Sequence, residues 1–412
     1  MNSIIKNKQF YKFSAYGFLK NLRFFDAFLI LILVDNNLSF TQIGFLYAVR
    51  EIIINIFEIP SGILADSWGR KTALIASFVF YIISFILFYF ASVFWWFFWA
   101  FFLYGIADAF RSGTHKGMIM DYLELNAWSH QKIAYYGHTR AWSQKGSAIS
   151  SLIAGFLVYQ SGDYQNIFFY SIFPYVINLI LVISYPKEIN QALQKKHQIK
   201  TTSLSLWSSM KDMQVIKLIN TSALFSAYLK AVKDYIQPLM VNIALIIPLM
   251  IDTDAEKKNG LFVGLFYFIL YLINSRASQL APKLSQINWR DIPFTTLLIG
   301  FVFGMGCGLF YIYNLWILAI LFFMGIYVIE NLRKPILTGY VSDQVPNEIL
   351  TSVLSVQSLL KTAMTAIIAL AFGIIADIYG IGVAFIMVSS FLIAMSGIIH
   401  YSIARNKRTL EY

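Results

Sequence analysis

The sequence predicts an all-α membrane protein: twelve transmembrane helices in two six-helix bundles with a pseudo-twofold 6+6 layout. Composition, the spacing of apolar windows and one central polar segment predict it. Of the 412 residues 58% are hydrophobic, 17% aromatic and only 13% charged. A soluble domain carries roughly 25% charged residues to cover its surface. A chain this long with half that density must turn most of its surface towards lipid.

A span needs about 20 apolar residues, because the hydrocarbon core is roughly 30 Å thick and a helix rises 1.5 Å per residue. Taken in order, the stretch "MNSIIKNKQFYKFSAYGFLK" is basic and amphipathic and offers no cleavage site. It is expected to be retained and to lie along the inner membrane face. The first six windows fall at 16–34, 40–64, 73–92, 94–118, 138–159 and 164–185. Trp95, Trp96 and Trp99, at the start of the fourth, are expected in an interfacial aromatic belt.

The longest polar stretch, Tyr185 to Met213, follows the sixth window. It divides the chain into a bundle at 1–186, a linker at 187–215 and a second bundle at 216–412. Six more windows follow at 217–248, 260–278, 292–311, 314–338, 348–376 and 380–403. Twelve spans place both termini on one side.

Lysine and arginine set which side that is. The inner connections and tail would hold Arg70, Lys71, Lys132, Lys187, Lys195, Lys196, Lys200, Lys211, Lys283, Arg290, Arg333, Lys334, Arg405, Lys407 and Arg408. The outer connections would hold only Lys257 and Lys258. Cytoplasmic termini therefore explain the net charge of +11 without nucleic acid. The single cysteine, Cys307, excludes an internal disulfide framework.

The turn after the second window reads "GILADSWGRK" and holds Gly62, Asp66, Gly69, Arg70 and Lys71. Gly62 would let helices approach as the second span ends, and Gly69 would take positive φ at the reversal. Asp66 suits a helix N-terminus, and the two bases suit the inner surface.

With its Leu64 and Ala65, this stretch resembles the signature G-x-L-a-D-x-x-G-R-K of the major facilitator superfamily, at the same place in the span order. The resemblance covers nearly the whole chain. It implies two bundles rocking about a central cavity, with Gly62, Asp66, Gly69, Arg70, Lys71 and nearby Glu58 forming a conformational latch. The second-half equivalent, "SRASQLAPKLSQINWRD", keeps only scattered bases, and "GIIADIYG" (Gly373 to Gly380) reads as a packing turn. Two family features are missing: Phe101 stands where many members have arginine, and "GSAISSLIAGFLV" lacks the Gly-Pro pair of many drug/proton antiporters.

Ionisable groups at mid-membrane cost at least about 2.5–3.5 kcal/mol each on insertion scales, so each needs a reason. Arg23 and Asp26 lie in the first span, Arg50 and Glu51 in the second, Asp108 and Arg111 in the fourth, and Lys230, Lys233 and Asp234 in the seventh. Lys361 lies in the eleventh, at a depth matching Glu51, which predicts an ion pair or gate between them. In the resembled family, spans 1, 4, 7 and 10 line the cavity. Arg23, Arg50, Arg111, Lys230, Lys233 and Lys361 are the candidate solute ligands, because guanidinium and ammonium groups suit carboxylates and phosphates. Asp26, Asp108, Glu51 and Asp234 are the candidate proton carriers, led by Asp26 and Asp108, since burial raises a carboxylate's affinity for protons. His115 could relay protons or be a hydrogen-bonded structural residue.

The expected function is a secondary active transporter of a small anionic or zwitterionic organic solute, coupled to protons or alternatively sodium. Export of a metabolite, a drug-like compound or a siderophore-like anion is preferred over import. A non-transporting protein on the same scaffold, either a solute sensor or a lipid scramblase, is the alternative. The chain is expected to act as a monomer among membrane lipids, in a bacterial inner membrane, without cofactor or metal. It carries no phosphate-binding loop, no H-E-x-x-H and no cysteine cluster, so neither ATP-driven pumping nor enzyme chemistry has a basis.

Overall fold

The computed structural model describes residues 5–186, 213–246, 254–285, 292–344 and 347–410. Most of the expected linker lies outside the described residues, and so does the side chain of Asp66. Among the described residues the regular structure is entirely helical: α1 (Lys8–Leu19), α2 (Leu29–Asp35), α3 (Phe40–Trp68), α4 (Arg70–Phe90), α5 (Phe94–Arg111), α6 (Thr114–Leu125), α7 (Lys132–Ser161) and α8 (Asn166–Ile183). After the linker come α9 (Met213–Val232), α10 (Ile236–Ile246), α11 (Ala255–Ser285), α12 (Ile292–Ile312), α13 (Trp316–Gln344), α14 (Asn347–Tyr379) and α15 (Ile381–Leu410). The twelve expected spans are all represented, because α1 with α2, α5 with α6, and α9 with α10 are single spans broken partway.

Among the described residues, six helical segments are long and apolar enough to cross a membrane: Arg70–Phe90, Asn166–Ile183, Ile292–Ile312, Trp316–Lys334, Val356–Tyr379 and Ile381–Tyr401. Breaks or charges interrupt other spans, such as the first and the second.

The packing repeats every six spans. In the first half α1 packs on α7, and α4 packs on α5 and α8. In the second half α9 packs on α14, and α12 packs on α13 and α15. These are spans 1 on 5 and 3 on 4 and 6, then 7 on 11 and 9 on 10 and 12. A repeated partner pattern is what a duplicated six-helix unit predicts.

Contacts divide the chain into two compact units, one of Met1–Leu38, Val49–Lys195 and Ala244–Tyr271, the other of Ser39–Ala48, Lys196–Ile243 and Leu272–Tyr412. The start of α3 thus belongs to the unit holding α14, and the start of α11 to the unit holding α7. Glycines explain both placements. A Cβ on Gly44 would lie 3.2 Å from the Ala369 carbonyl carbon, and one on Gly155 would lie 2.6 Å from the Gly260 carbonyl oxygen. Only glycine lets backbones approach so closely.

The N-terminal segment packs into the first unit. Within it α1 begins at Lys8, and Phe10, Phe13 and Tyr16 are buried to within 1%. Spacings of three bring these rings onto one face, and burial of that face against α7 and α8 draws the segment into the bundle.

Candidate functional site

The first span breaks after α1, and a 3-10 turn at Phe24–Ala27 separates it from α2. Arg23 caps that turn with φ −97° and ψ 86°, and Asp26 lies within it. Residues three apart are neighbours on a regular helix, but here the break brings the two together: Arg23 Nη2 lies 2.9 Å from Asp26 Oδ2. Arg23 also donates to the Tyr104 hydroxyl from α5. Each side chain of the pair keeps 26% of its surface accessible.

The seventh span breaks in the same way. A 3-10 turn at Lys233–Tyr235 separates α9 from α10, and Lys233 Nζ lies 3.2 Å from Asp234 Oδ1. The Tyr47 hydroxyl donates to Asp234 Oδ2 at 3.0 Å. Spans 1 and 7 occupy equivalent places in the repeat, so the fold puts a basic–acidic pair at both breaks. Interrupted spans of this kind build polar sites at membrane depth, where irregular backbone needs water or protein partners.

In α5, Arg111 Nη2 lies 2.7 Å from Asp108 Oδ1, and its Nε donates to the Tyr81 hydroxyl at 2.8 Å. Tyr81 in turn donates to Asp108. This triad ends the helix, because Ser112 and Gly113 (φ +72°) break the fourth span before α6. The sequence reading placed one helix across that break. A left-handed residue at the α6 N-cap is tolerated because Gly113 lacks a Cβ.

Arg50 donates to Glu51 Oε1 through Nε at 3.3 Å and Nη2 at 3.1 Å, and the Glu51 side chain is fully buried. In the other unit, Lys361 lies within electrostatic reach of Glu330. Glu330 accepts from Ser226, and Arg333 donates to the backbone of Thr221 and to Pro293 O at 2.8 Å. Lys230 occupies the last turn of α9 and is half-buried. His115 stacks on Tyr16 with centroids 3.6 Å apart, a packing role consistent with its structural reading.

The latch residues divide. Gly69 takes φ 91° and caps α4, as expected. Arg70 Nε lies 3.3 Å from Asp121 Oδ2 of α6, and Lys71 Nζ donates to Tyr185 O at 2.7 Å. Among the described residues, a Cβ on Gly62 would meet nothing within 4 Å. Glu58 is half-buried in α3, and its carbonyl accepts from Ser61 Oγ at 3.0 Å.

The sequence reading missed Gly117, over which the Arg70 guanidinium lies so closely that a Cβ would overlap it. Gly117→Val is expected to expel Arg70 from Asp121 and reproduce the transport defect of Arg70→Gln. Parallel uptake rates check this; a normal rate for Gly117→Val beside a defective Arg70→Gln would refute it. "GIIADIYG" also does more than turn the chain. Asp377 Oδ1 and Oδ2 accept from the backbone N–H groups of Phe40 at 2.7 Å and Thr41 at 2.6 Å, capping α3.

The comparisons with known proteins agree with this architecture. Residues 18–369 match the family model described as Major Facilitator Superfamily. An uncharacterized MFS-type transporter of Bacillus subtilis (strain 168), YxaM, is 24% identical over 403 residues, covering 93% of this chain and 92% of that protein. Among solved structures, nucleoside transporter NupG aligns with TM-score 0.76 at 12% identity, covering 96% of this chain and 99% of that one. A POT family transporter in complex with 5-aminolevulinic acid aligns with TM-score 0.71 at 14% identity, covering 96% of each chain. D-xylose-proton symporter aligns with TM-score 0.68 at 15% identity, covering 95% of this chain and 96% of that one. With the family model spanning most of its length and the six-span packing repeat running through both halves, the chain belongs to the Major Facilitator Superfamily.

Proposed function

We propose that this protein is a proton-coupled secondary transporter of a small organic anion or zwitterion, resident in a bacterial inner membrane with both termini cytoplasmic. One observation carries the reading: basic–acidic pairs stand at the breaks of spans 1 and 7, Arg23–Asp26 at 2.9 Å and Lys233–Asp234 at 3.2 Å. Charges at span breaks are expensive in lipid and serve a purpose where they meet a polar ligand or a proton. Arg23, Arg50, Arg111, Lys230, Lys233 and Lys361 are the proposed ligands of the solute's anionic group. Asp26, Asp108, Glu51 and Asp234 are the proposed coupling groups. Asp26 leads, because it keeps accessible surface whereas Glu51 is sealed behind Arg50.

The bias of lysine and arginine towards one set of connections supports the orientation. Alternating access then follows from solute and proton each favouring one of two bundle arrangements.

Proteoliposomes under imposed proton or sodium gradients, screened with organic anions and neutral analogues, test the reading. Accumulation of an anion with the proton gradient alone is expected. Gradient-independent lipid flipping, unchanged by Asp26→Asn, would instead make the protein a scramblase.

A further inference from the structure

Glu330 lies in α13, the tenth span, and is 9% exposed. It differs from the four acids already described, each of which has a cation at ion-pair distance: Arg23 for Asp26, Arg50 for Glu51, Arg111 for Asp108 and Lys233 for Asp234. Glu330 Oε1 accepts from the Ser226 hydroxyl of α9, and Oε2 is buried with no hydrogen-bond partner among the described residues. Arg333, one turn further along the same helix, is committed elsewhere. Its Nη1 donates to Pro293 O and Thr296 Oγ1, both at 2.8 Å, and its Nη2 donates to Thr221 O.

Burying an ionised oxygen to which nothing donates costs far more than burying a neutral acid. The bonding fits the acid: Oε1, which accepts from Ser226, is the carbonyl oxygen, and Oε2 is where the proton sits. A partner for the ionised form is close by. Lys361 of α14 is half-buried and lies within electrostatic reach of Glu330, and α9 packs on both α13 and α14. The Lys361 ammonium rides on a flexible four-carbon stem that can close the gap. The other charged groups facing Glu330 are Arg333 and Lys334 on its own helix and Lys230, one turn beyond Ser226 on α9. All of these are cations, and α12, which also packs on α13, has no charged residue.

We infer that Glu330 is a further proton-carrying residue, neutral while it is bound to Ser226 and paired with Lys361 once its proton has left. The inference rests on the reading of the protein as a proton-coupled carrier, and it adds a proton site in the second unit to the one proposed at Asp26 in the first. On release the O–H bond at Oε2 breaks, its electrons stay on the carboxylate and the proton passes to water. The Lys361 ammonium is already charged, so the step adds one negative charge beside an existing positive one. Lys361 is also a proposed ligand of the solute's anionic group. Solute and ionised Glu330 then compete for one ammonium, which links solute binding to proton uptake.

Infrared titration of the full-length protein in phosphatidylcholine nanodiscs reads the proton directly, through the carbonyl stretch of a buried carboxylic acid. The wild type is expected to show such a band near neutral pH and to lose it as the pH rises. Glu330→Gln should remove the band, whereas Glu124→Gln, at an exposed position in α6, should keep it. In Lys361→Gln the band should persist about one pH unit higher, because a neighbouring cation favours the ionised form. Ser226→Ala should retain the band at a shifted frequency, since the carbonyl oxygen loses its donor. The last two variants keep Glu330 and carry the test if Glu330→Gln fails to fold. A spectrum that Glu330→Gln leaves unchanged, or a titration that Lys361→Gln leaves unchanged, would overturn the inference. The band is read without solute or gradient, so its absence leaves the transport reading standing. A titrating Glu330 in a protein that accumulates no solute under a proton gradient would instead sink the transport reading alone.

Discussion

Asp26→Asn is expected to lower proton-driven accumulation about a hundredfold, equivalent to about 2.7 kcal/mol, while leaving solute exchange without a gradient measurable. Asp26 lies in the 3-10 turn that breaks the first span, 2.9 Å from Arg23. An amide there keeps the shape but cannot carry a proton. Removing the carboxylate also leaves Arg23 without its ion-pair partner, although Tyr104 still accepts from it. An exposed pair is worth at most about 1 kcal/mol, and breaking a fully buried one costs about 3–5 kcal/mol. At 26% side-chain exposure on both partners, a loss of about 2 kcal/mol in stability is expected. Arg23→Gln/Asp26→Asn should recover most of that stability and none of the coupling. Thermal unfolding and uptake measured on both variants separate the effects. Full coupling in Asp26→Asn would remove Asp26 from the proton path.

Gly373→Leu is expected to be the most damaging substitution outside the charged groups. Its Cβ would overlap the Phe40 carbonyl oxygen and lie 3.0 Å from that carbonyl's carbon and 3.2 Å from Gly44 Cα. These are backbone atoms, which cannot swing aside as a flexible side chain can. The helices α3 and α14 must therefore separate, and the two bonds by which Asp377 caps α3 are lost with them. Overpacking costs about 1–3 kcal/mol and loss of a cap about 1 kcal/mol more. Gly62→Ala, in the facing helix α3, is the control. Open space surrounds it among the described residues, so alanine should be neutral or add roughly 0.5–1 kcal/mol through helix propensity. Unfolding temperatures of the two variants check the contrast. Equal tolerance at both positions would refute the close α3–α14 packing.

These two sites show what a sequence reading can reach. Arg23, Asp26, Asp108 and Arg111 stood out because single charges in apolar windows are conspicuous. The breaks that orient them did not stand out, since "NLRFFDAFL" and "AVKDYIQPL" carry no glycine to mark an interruption. The break after Arg111 had such a mark in Ser112-Gly113, and the apolar length of the window overrode it.

Lys20 and Arg140 were passed over for a different reason. Each lies near the end of an expected span, where a basic residue reads as an inner-face anchor. Only the close approach of α1 to α7, with Gly17 3.7 Å or less from Ser143 and Thr139 atoms as its missing Cβ would sit, brings them around one cavity of ≈ 300 Å³. Asp377 was legible as part of a repeated "GI-x-AD" pattern. Its role was not, because its partners Phe40 and Thr41 are more than three hundred residues away in the chain.

The central claim is that the charged side chains at the span breaks border water that reaches them from alternate sides. Cysteine accessibility tests it most directly, because Cys307 is the chain's single cysteine and is buried. Asn21→Cys in a Cys307→Ser background places one thiol in the wall of the basic cavity, to be challenged with a membrane-impermeant maleimide in vesicles of each orientation. The reagent should reach it from one face at rest, at a rate that changes severalfold when a proton gradient is imposed. A thiol that never reacts, or one whose reaction ignores the gradient, would contradict the claim.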